Sequence, residues 1–309
     1  MILAMCLNPA LQRTLRFQNL SFNRVNRAES VSHSAGGKGV NVAGILSTLK
    51  SDVRLLTLLG GVNGRQVKAI LKRDKIRFHA VPVCGNTRIC TTLLDPAAGI
   101  QTELVEEGEP VSTVEVRDVD QAFEKMLPRS RILILSGTAP RGFPDTVYRK
   151  WIARAKNLGI PAILDAPKRL AENGLKANPW LFKPNWGEME TLVGSRIDSD
   201  EMLKSALEFL HAKGAENILV TRDGPCAFAF WDRECVRIIS PNLKVANPIG
   251  SGDAFAAGIA AAWLFGKKLP EMLKLGMACA GANVLTPLAG TLRLADVKVL
   301  IRRIRIETF

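Results

Sequence analysis

Asn247-Pro-Ile-Gly-Ser-Gly-Asp253-Ala-Phe-Ala-Ala-Gly258 is the most informative stretch of the chain. Gly250 and Gly252 flank a small Ser251, and an apolar helix follows. Such a turn exposes backbone N–H groups at a helix N-terminus, where the helix dipole favours an anion. Asp253 is odd there, because its carboxylate repels a phosphate. The conflict resolves if Asp253 is a general base that deprotonates an attacking hydroxyl while the nest holds a transferring phosphoryl group. On spacing alone the residues read equally as a plain helix cap, a glycine turn with aspartate in the first turn. The motif is neither a Walker A sequence nor a GxGxxG fingerprint, since Phe255 holds the last position.

Outward from this segment, strands and helices alternate. Apolar runs Ile2–Leu7, Val53–Leu59, Ile76–Val83, Ile132–Leu135, Ile160–Asp165 and Asn217–Thr221 read as strands. Between them, Gly39–Lys50, Gly64–Lys75 and residues 113–127, 144–158 and 200–213 read as helices, and helices 252–265 and 270–285 close the core. Apolar strands alternating with helices predict a mostly parallel sheet covered on both faces. Two β-rich segments interrupt the pattern. Leu15–Val31 reads as a solvent-facing antiparallel pair; Thr87–Asp95 and Thr102–Glu106 read as short strands. Both segments are too polar for central strands. The expected division is therefore a core of residues 1–8, 33–84 and 112–309 with a small β lid of residues 9–32 and 85–111. A basic helix over 295–305 ends the chain, and its Arg302, Arg303 and Arg305 read as a solvated face.

Composition sets the outer limits. At roughly 150 residues per domain, 309 residues make about two domains or one large α/β domain. Hydrophobic residues at 47% and charged residues at 23% exclude a disordered or collagen-like chain. The net charge of +13 favours anionic partners. No basic stripe interleaved with aromatics marks nucleic-acid binding. The six cysteines form no CxxC and no Cys/His pair with zinc spacing, so reduced thiols in a cytoplasm are expected. His33, His79 and His211 are scattered, which argues against a multi-histidine metal site. Met1–Leu7 lacks the basic start and length of a signal peptide, and the longest apolar run, Ala254–Phe265, is too short to span a bilayer.

Four further segments carry candidate chemistry. In Ala35-Gly36-Gly37-Lys38-Gly39-Val40-Asn41, glycines allow close approach of a ligand, and Lys38 and Asn41 supply donors at a helix start. The same segment reads as a flexible turn. Lys183-Pro-Asn185-Trp-Gly-Glu188 puts Asn185 and Glu188 on one helical turn, a spacing that suits Mg²⁺ held largely through water. Taken alone, the segment reads first as a capping box, with Asn185 as N-cap. Arg88, in Asn86-Thr-Arg88, offers a planar fork for a phosphate, although a lone arginine on a strand is more often simply solvated. Ser136-Gly-Thr-Ala-Pro-Arg-Gly142 follows a central strand, where α/β sheets bind ligands.

Taken together and in order, these segments resemble the ribokinase-like (PfkB) carbohydrate kinases, from Asn8 to about residue 290. AGGKGVNVA at 35–43 and NPIGSGDAFAAG at 247–258 are the two identifying motif regions. CLNPAL at 6–11, NTR at 86–88, TELVEEGEPVS at 102–112, SGTAP at 136–140, LDAP at 164–167 and KPNWGEME at 183–190 resemble the hexose-phosphate branch. The resemblance implies a three-layer α/β/α core with a β lid, ATP and Mg²⁺ as donor, and a ketohexose phosphate (fructose 1-phosphate or tagatose 6-phosphate) as acceptor. It implies Asp253 as catalytic base, with Gly250, Ser251 and Gly252 as the anion hole. Asn185 and Glu188 are then the pair that organises Mg²⁺. Gln12, Gly37, Lys38, Asn41 and Arg88 bind the sugar, with Arg88 and Lys38 on its phosphate. Lys183, Asn185, Thr221, Gly224 and Asn283 face the nucleotide, Asn283 flanking the adenine. A homodimer through the lid is implied by analogy.

Three positions depart from the branch. Gln12 stands where an aspartate usually grips sugar hydroxyls, and an amide makes no charge-assisted bond. Asn247-Pro248 replaces the commoner Asn-Thr, and no Ser-Gly follows Asp165. The competing readings are a kinase for an unphosphorylated sugar or nucleoside, and a sugar-phosphate-binding regulator without catalysis.

Overall fold

The structure, a computed structural model, describes residues 1–309. The chain begins with β1 (Ile2–Cys6), β2 (Ala10–Arg16), β3 (Ser30–Gly36), α1 (Lys38–Thr48), β4 (Val53–Leu59), α2 (Gly61–Arg73) and β5 (Phe78–Pro82). A hairpin of β6 (Arg88–Asp95) and β7 (Ile100–Val105) follows, then α3 (Thr113–Met126), β8 (Ile132–Ser136), α4 (Val147–Asn157) and β9 (Ala162–Asp165). Next come α5 (Lys168–Leu175), β10 (Leu181–Phe182), α6 (Trp186–Val193), α7 (Asp200–Ala212) and β11 (Asn217–Thr221). The last elements are β12 (Cys226–Trp231), β13 (Glu234–Ile239), α8 (Ser251–Leu264), α9 (Leu269–Val284), α10 (Leu294–Leu300) and β14 (Arg305–Thr308).

Ten strands form the main sheet, in the order β14-β13-β12-β11-β10-β9-β8-β1-β4-β5. From β5 to β11 every pairing is parallel. Its strands are apolar because both faces are covered, and β1 shows how. Ile2, Ala4 and Cys6 point into one core beneath α1, α8 and α9, whereas Leu3, Met5 and Leu7 point into the other beneath α3, α4 and α7. This is the three-layer α/β/α arrangement. Capping fixes where helices start: Ser112 and Glu115 close a capping box on α3, and the Ser199 hydroxyl caps α7.

The second sheet has four strands in the order β3-β2-β6-β7. β2 pairs antiparallel with β3 and parallel with β6. Leu15 and Val31 do pair, but as one rung of a longer ladder that runs from Ala10 opposite Gly36 to Arg16 opposite Ser30. The expected antiparallel pair therefore extends outward, and Phe17–Glu29 forms the connection. Gln12 and Thr14 are buried on one face of β2, and Leu11 is buried on the other, against the main core.

The chain end corrects the sequence reading. The helix stops at Leu300, and Arg305–Thr308 pairs antiparallel with β13. Ile304 is buried and Ile306 half-buried while Arg305 is exposed, a period of two that suits an edge strand. Arg302 and Arg303 are exposed in the turn before it. All six cysteines are free, and no helix is long and apolar enough to cross a membrane.

Candidate functional site

The carboxyl ends of the parallel strands converge with the starts of α1, α6 and α8. This is where open α/β sheets place their ligands. Ser136 ends β8, Asp165 ends β9, Lys183 follows β10 and Thr221 ends β11. Gly37 precedes α1, Asn185 caps α6 and Gly250 caps α8.

Gly250 takes φ 84°, in the left-handed region, and no side chain caps α8. The first-turn N–H groups are left to backbone and ligand. Asp253 does not cap the helix. Its Oδ2 accepts a 2.7 Å hydrogen bond from Asn41 Nδ2 on α1, and the residue is buried. Burial pushes its carboxyl up to about 6, and the Asp165 charge adds to that; Lys38, Asn41 and Lys183 act in the opposite direction. The glycine turn with aspartate in the first turn is thus present as the cap reading expected, but the Asp253 side chain is spent on Asn41 and makes no cap bond. Asn41, expected only as a sugar ligand, also holds Asp253.

Asp165 was legible only as part of a family segment, yet it is central. It is fully buried and joins Lys38 Nζ at 2.7 Å and Lys183 Nζ at 3.1 Å. Burial opposes the charged form of Asp165, but the two lysines hold it ionised. Burial likewise opposes the Lys38 ammonium, and Asp165, Asp253 and Glu188 outweigh it. Lys183 lies against the nest, since a Cβ built on Gly252 falls 3.1 Å from its Nζ.

Asn185 and Glu188 form the capping box that their spacing allowed. Asn185 Oδ1 accepts from the Glu188 N–H at 2.8 Å, and Glu188 Oε2 accepts from the Asn185 N–H at 2.9 Å. Each group keeps oxygen capacity, and Asn185 faces the central cavity. No cluster of three or more His, Cys, Asp or Glu side chains is arranged to grip a metal directly. One carboxylate with an amide oxygen fits Mg²⁺ that keeps several waters and phosphate oxygens.

Three connected spaces surround these groups. A central cavity of about 400 Å³ contains Gln12, Gly37, Lys38, Asn41, Arg88, Lys183 and Asp253 on its walls. An apolar slot of about 360 Å³ opens from it past Thr221, Ser251 and Gly252, lined by Gly224, Phe255, Met277, Ala280 and Val284. Gly224 has φ 98° with open space beside its Cα. A polar compartment of about 250 Å³ adjoins the central cavity at Lys38 and Arg88, with Asn8, Ser136 and Thr138 as further walls. The slot and the compartment have no residue in common.

Arg88 donates from Nη1 to the Glu106 carbonyl and from Nη2 to the Asn8 carbonyl, both at 3.1 Å. Its Nε and the Ser136 Oγ are buried without partners. Unpaired buried polar atoms are costly and call for a ligand or water. Gln12 donates from Nε2 to Thr92 Oγ1 at 2.8 Å. Asn283 is the clear correction. It is fully buried, donating from Nδ2 to the Ile249 carbonyl at 2.9 Å and accepting from the Gly290 N–H at 3.0 Å. It pins the nest to the following loop, and its α9 neighbours Ala280, Gly281 and Val284 face the slot instead.

Residues 3–294 match the family model described as pfkB family carbohydrate kinase. The chain is 31% identical over 293 residues to a tagatose-6-phosphate kinase of Staphylococcus epidermidis, covering 94% of each chain. It superposes on phosphofructokinase-2 from Escherichia coli with a TM-score of 0.90 at 22% identity, over 97% of this chain and 98% of that one. Ribokinase from Arabidopsis thaliana gives a TM-score of 0.76 at 21% identity over the same shares.

Proposed function

The chain belongs to the pfkB family of carbohydrate kinases, and from its site we propose that it transfers the γ-phosphoryl group of ATP to a hydroxyl of a ketohexose phosphate, giving a bisphosphate. Tagatose 6-phosphate and fructose 1-phosphate are the favoured acceptors. The observation that carries this reading is the polar compartment. Arg88, Lys38, Asn8, Thr138 and the unpartnered Ser136 Oγ, with Glu107 as the one carboxylate, make a donor-rich chamber that joins the central cavity at Lys38 and Arg88 and shares no wall with the apolar slot. A free sugar has no group that needs it. The 31% identical relative is named for a phosphorylated hexose.

In this reading the adenine enters the apolar slot past Gly224 and Thr221. The amides of Gly250, Ser251 and Gly252 hold the transferring phosphoryl oxygens, with Lys183 behind them. Asp253, held by Asn41, takes the proton from the acceptor hydroxyl. Arg88 and Ser136 hold the acceptor's own phosphate, with Lys38 at the boundary between it and the transferring group, and Gly37 allows the sugar close approach. Mg²⁺, held through water by Asn185 and Glu188, neutralises phosphate charge when bound. The four-stranded sheet acts as a lid over the central cavity, through Gln12, Arg88 and Cys90. Phe22 and Val25 are 89% and 82% exposed on the β2–β3 connection, which supports a homodimer formed through that sheet.

The test is an ADP-release assay across tagatose 6-phosphate, fructose 1-phosphate, fructose 6-phosphate, fructose and ribose. A phosphorylated ketohexose should have the highest kcat/KM, and a preference for a free sugar overturns the acceptor class. In the same assay kcat should fall as pH drops through about 6, because only ionised Asp253 accepts the proton and its pKa is raised to about 6. A flat profile between pH 5 and 8 contradicts the base assignment.

Gln12→Asp should change acceptor KM several-fold, about 1 kcal/mol, and leave ATP KM unaltered. Gln12 lines the central cavity, and its amide already donates to Thr92, so its carbonyl oxygen is the end left for a hydroxyl. Unchanged acceptor KM and unchanged preference show that position 12 does not face the sugar.

A further inference from the structure

We propose that Asp165 is the positioning residue of the phosphoryl-transfer step: it holds Lys38 and Lys183 toward the group in transfer and keeps both off the base, Asp253. This rests on the reading of Asp253 as base and assigns a role to a residue outside the family motif regions.

The carboxylate has two charged partners. Its Oδ1 is 2.7 Å from Lys38 Nζ, and its Oδ2 is 3.1 Å from Lys183 Nζ. It accepts no backbone N–H, so it braces no turn. It is fully buried at the end of β9, where an isolated charge is costly. A protein keeps such a group when its partners need it. The two lysines come from different elements and both line the central cavity. Lys38 opens α1 between the central cavity and the polar compartment, on the acceptor side. Lys183 lies under Gly252, on the donor side. Their midpoint partner is Asp165, and a phosphoryl group passing between the two sides is flanked by both ammonium groups.

The lysines have an alternative partner. Asp253 is a buried carboxylate whose only hydrogen bond comes from Asn41, and both lysines already act on it electrostatically. A lysine that closed on Asp253 would stabilise its charge and weaken it as a base, while withdrawing from the phosphoryl group. Asp165 prevents this by competing successfully for both cations. The groups facing Asp253 are Lys38 and Asn41 from α1, Lys183 after β10 and Asp165 from β9. The first three favour its charged form; Asp165 and burial oppose it.

The experiment is Asp165→Asn, with kcat measured from pH 5 to 9 beside wild type and Asp253→Asn. A neutral amide removes the opposing charge and frees the lysines, so the acid limb should move down by roughly one pH unit. kcat on the plateau should fall about tenfold or more, because an ammonium group no longer flanks the transfer. An unmoved limb overturns the proposal. Loss of the Asp165 charge alone moves the limb but leaves plateau kcat near wild type, so an undiminished plateau also overturns the positioning role. If Asp165→Asn does not fold, Asp165→Asn combined with Lys183→Met removes one cation with its counter-charge and leaves Lys38 free to turn. The limb should again move down, and a fixed limb again overturns the proposal. Asp253→Asn separates the two readings. If it retains turnover, the base reading fails; if it is inactive while Asp165→Asn keeps its limb, only the positioning role fails.

Discussion

Asp253→Asn should lower kcat by ~10²–10⁴ and leave the melting temperature and the binding of both substrates nearly unchanged. The substitution is almost isosteric. The Asn41 amide that donates 2.7 Å to Asp253 Oδ2 can still donate to the carbonyl oxygen of asparagine. α8 loses no cap, because Gly250 ends it with backbone alone. Burial penalises the carboxylate charge, so a neutral amide relieves a cost rather than adding one. Lys38 and Lys183 retain Asp165 as partner. What disappears is the ability to accept a proton as the acceptor oxygen attacks. If the aspartate served folding, turnover would stay near normal and the melting temperature would fall. Turnover within about threefold of wild type, against the loss expected for a missing base, would falsify the assignment.

The sheet was legible where the sequence supplied both a long apolar run and a clear stop. β4 is such a run, ended by Gly60-Gly61, and its bounds are those read from sequence. The antiparallel extension was not. β12 is an apolar run that turns at Asp232 and Arg233, with φ 49° and 66°. Neither residue is glycine or asparagine, so the usual hairpin signal is missing. β14 was hidden by spacing. Leu300, Ile301 and Ile304 follow a helical stripe, and only Ile304 and Ile306 reveal the period of two that pairing with β13 selects. At the site, motifs pointed to loops and helix starts, whereas Asp165 and Ser136 matter because separate strands bring them beside Lys38, Lys183 and Arg88. The one local signal was a polar residue closing an otherwise apolar strand. Asn283 failed in the other direction. The family resemblance put Asn283 beside the adenine, but α9 turns that amide toward the Ile249 and Gly290 backbone. Asn185 and Glu188 kept both of their sequence meanings, since a capping box spends only part of their oxygen capacity.

Arg88→Ala should raise KM for the phosphorylated acceptor by roughly 30- to 150-fold, about 2–3 kcal/mol, while slow activity on the free sugar stays close to wild type. A guanidinium has five N–H donors in a fixed fork. Arg88 spends two, on the carbonyls of Glu106 and Asn8, and these orient the fork toward the polar compartment. Its Nε is buried and unpaired, as is the Oγ of Ser136, which lines the same compartment. That is the arrangement expected of a chamber whose donors are completed by an anion. The two backbone bonds also tie β6 to the loops after β1 and β7, so alanine will cost some stability. Stability loss alone lowers activity toward every acceptor alike. The discriminating quantity is thus the ratio of kcat/KM for phosphorylated over free sugar, which should fall by the same factor as KM rises. Arg88→Lys should fall between, because an ammonium keeps the charge but cannot hold both carbonyls and a phosphate in one plane. Equal losses on both sugars in both variants would make Arg88 a brace of the small sheet. The compartment would then lose its claim on the acceptor's phosphate, and a free sugar would become the better reading of the same cavity.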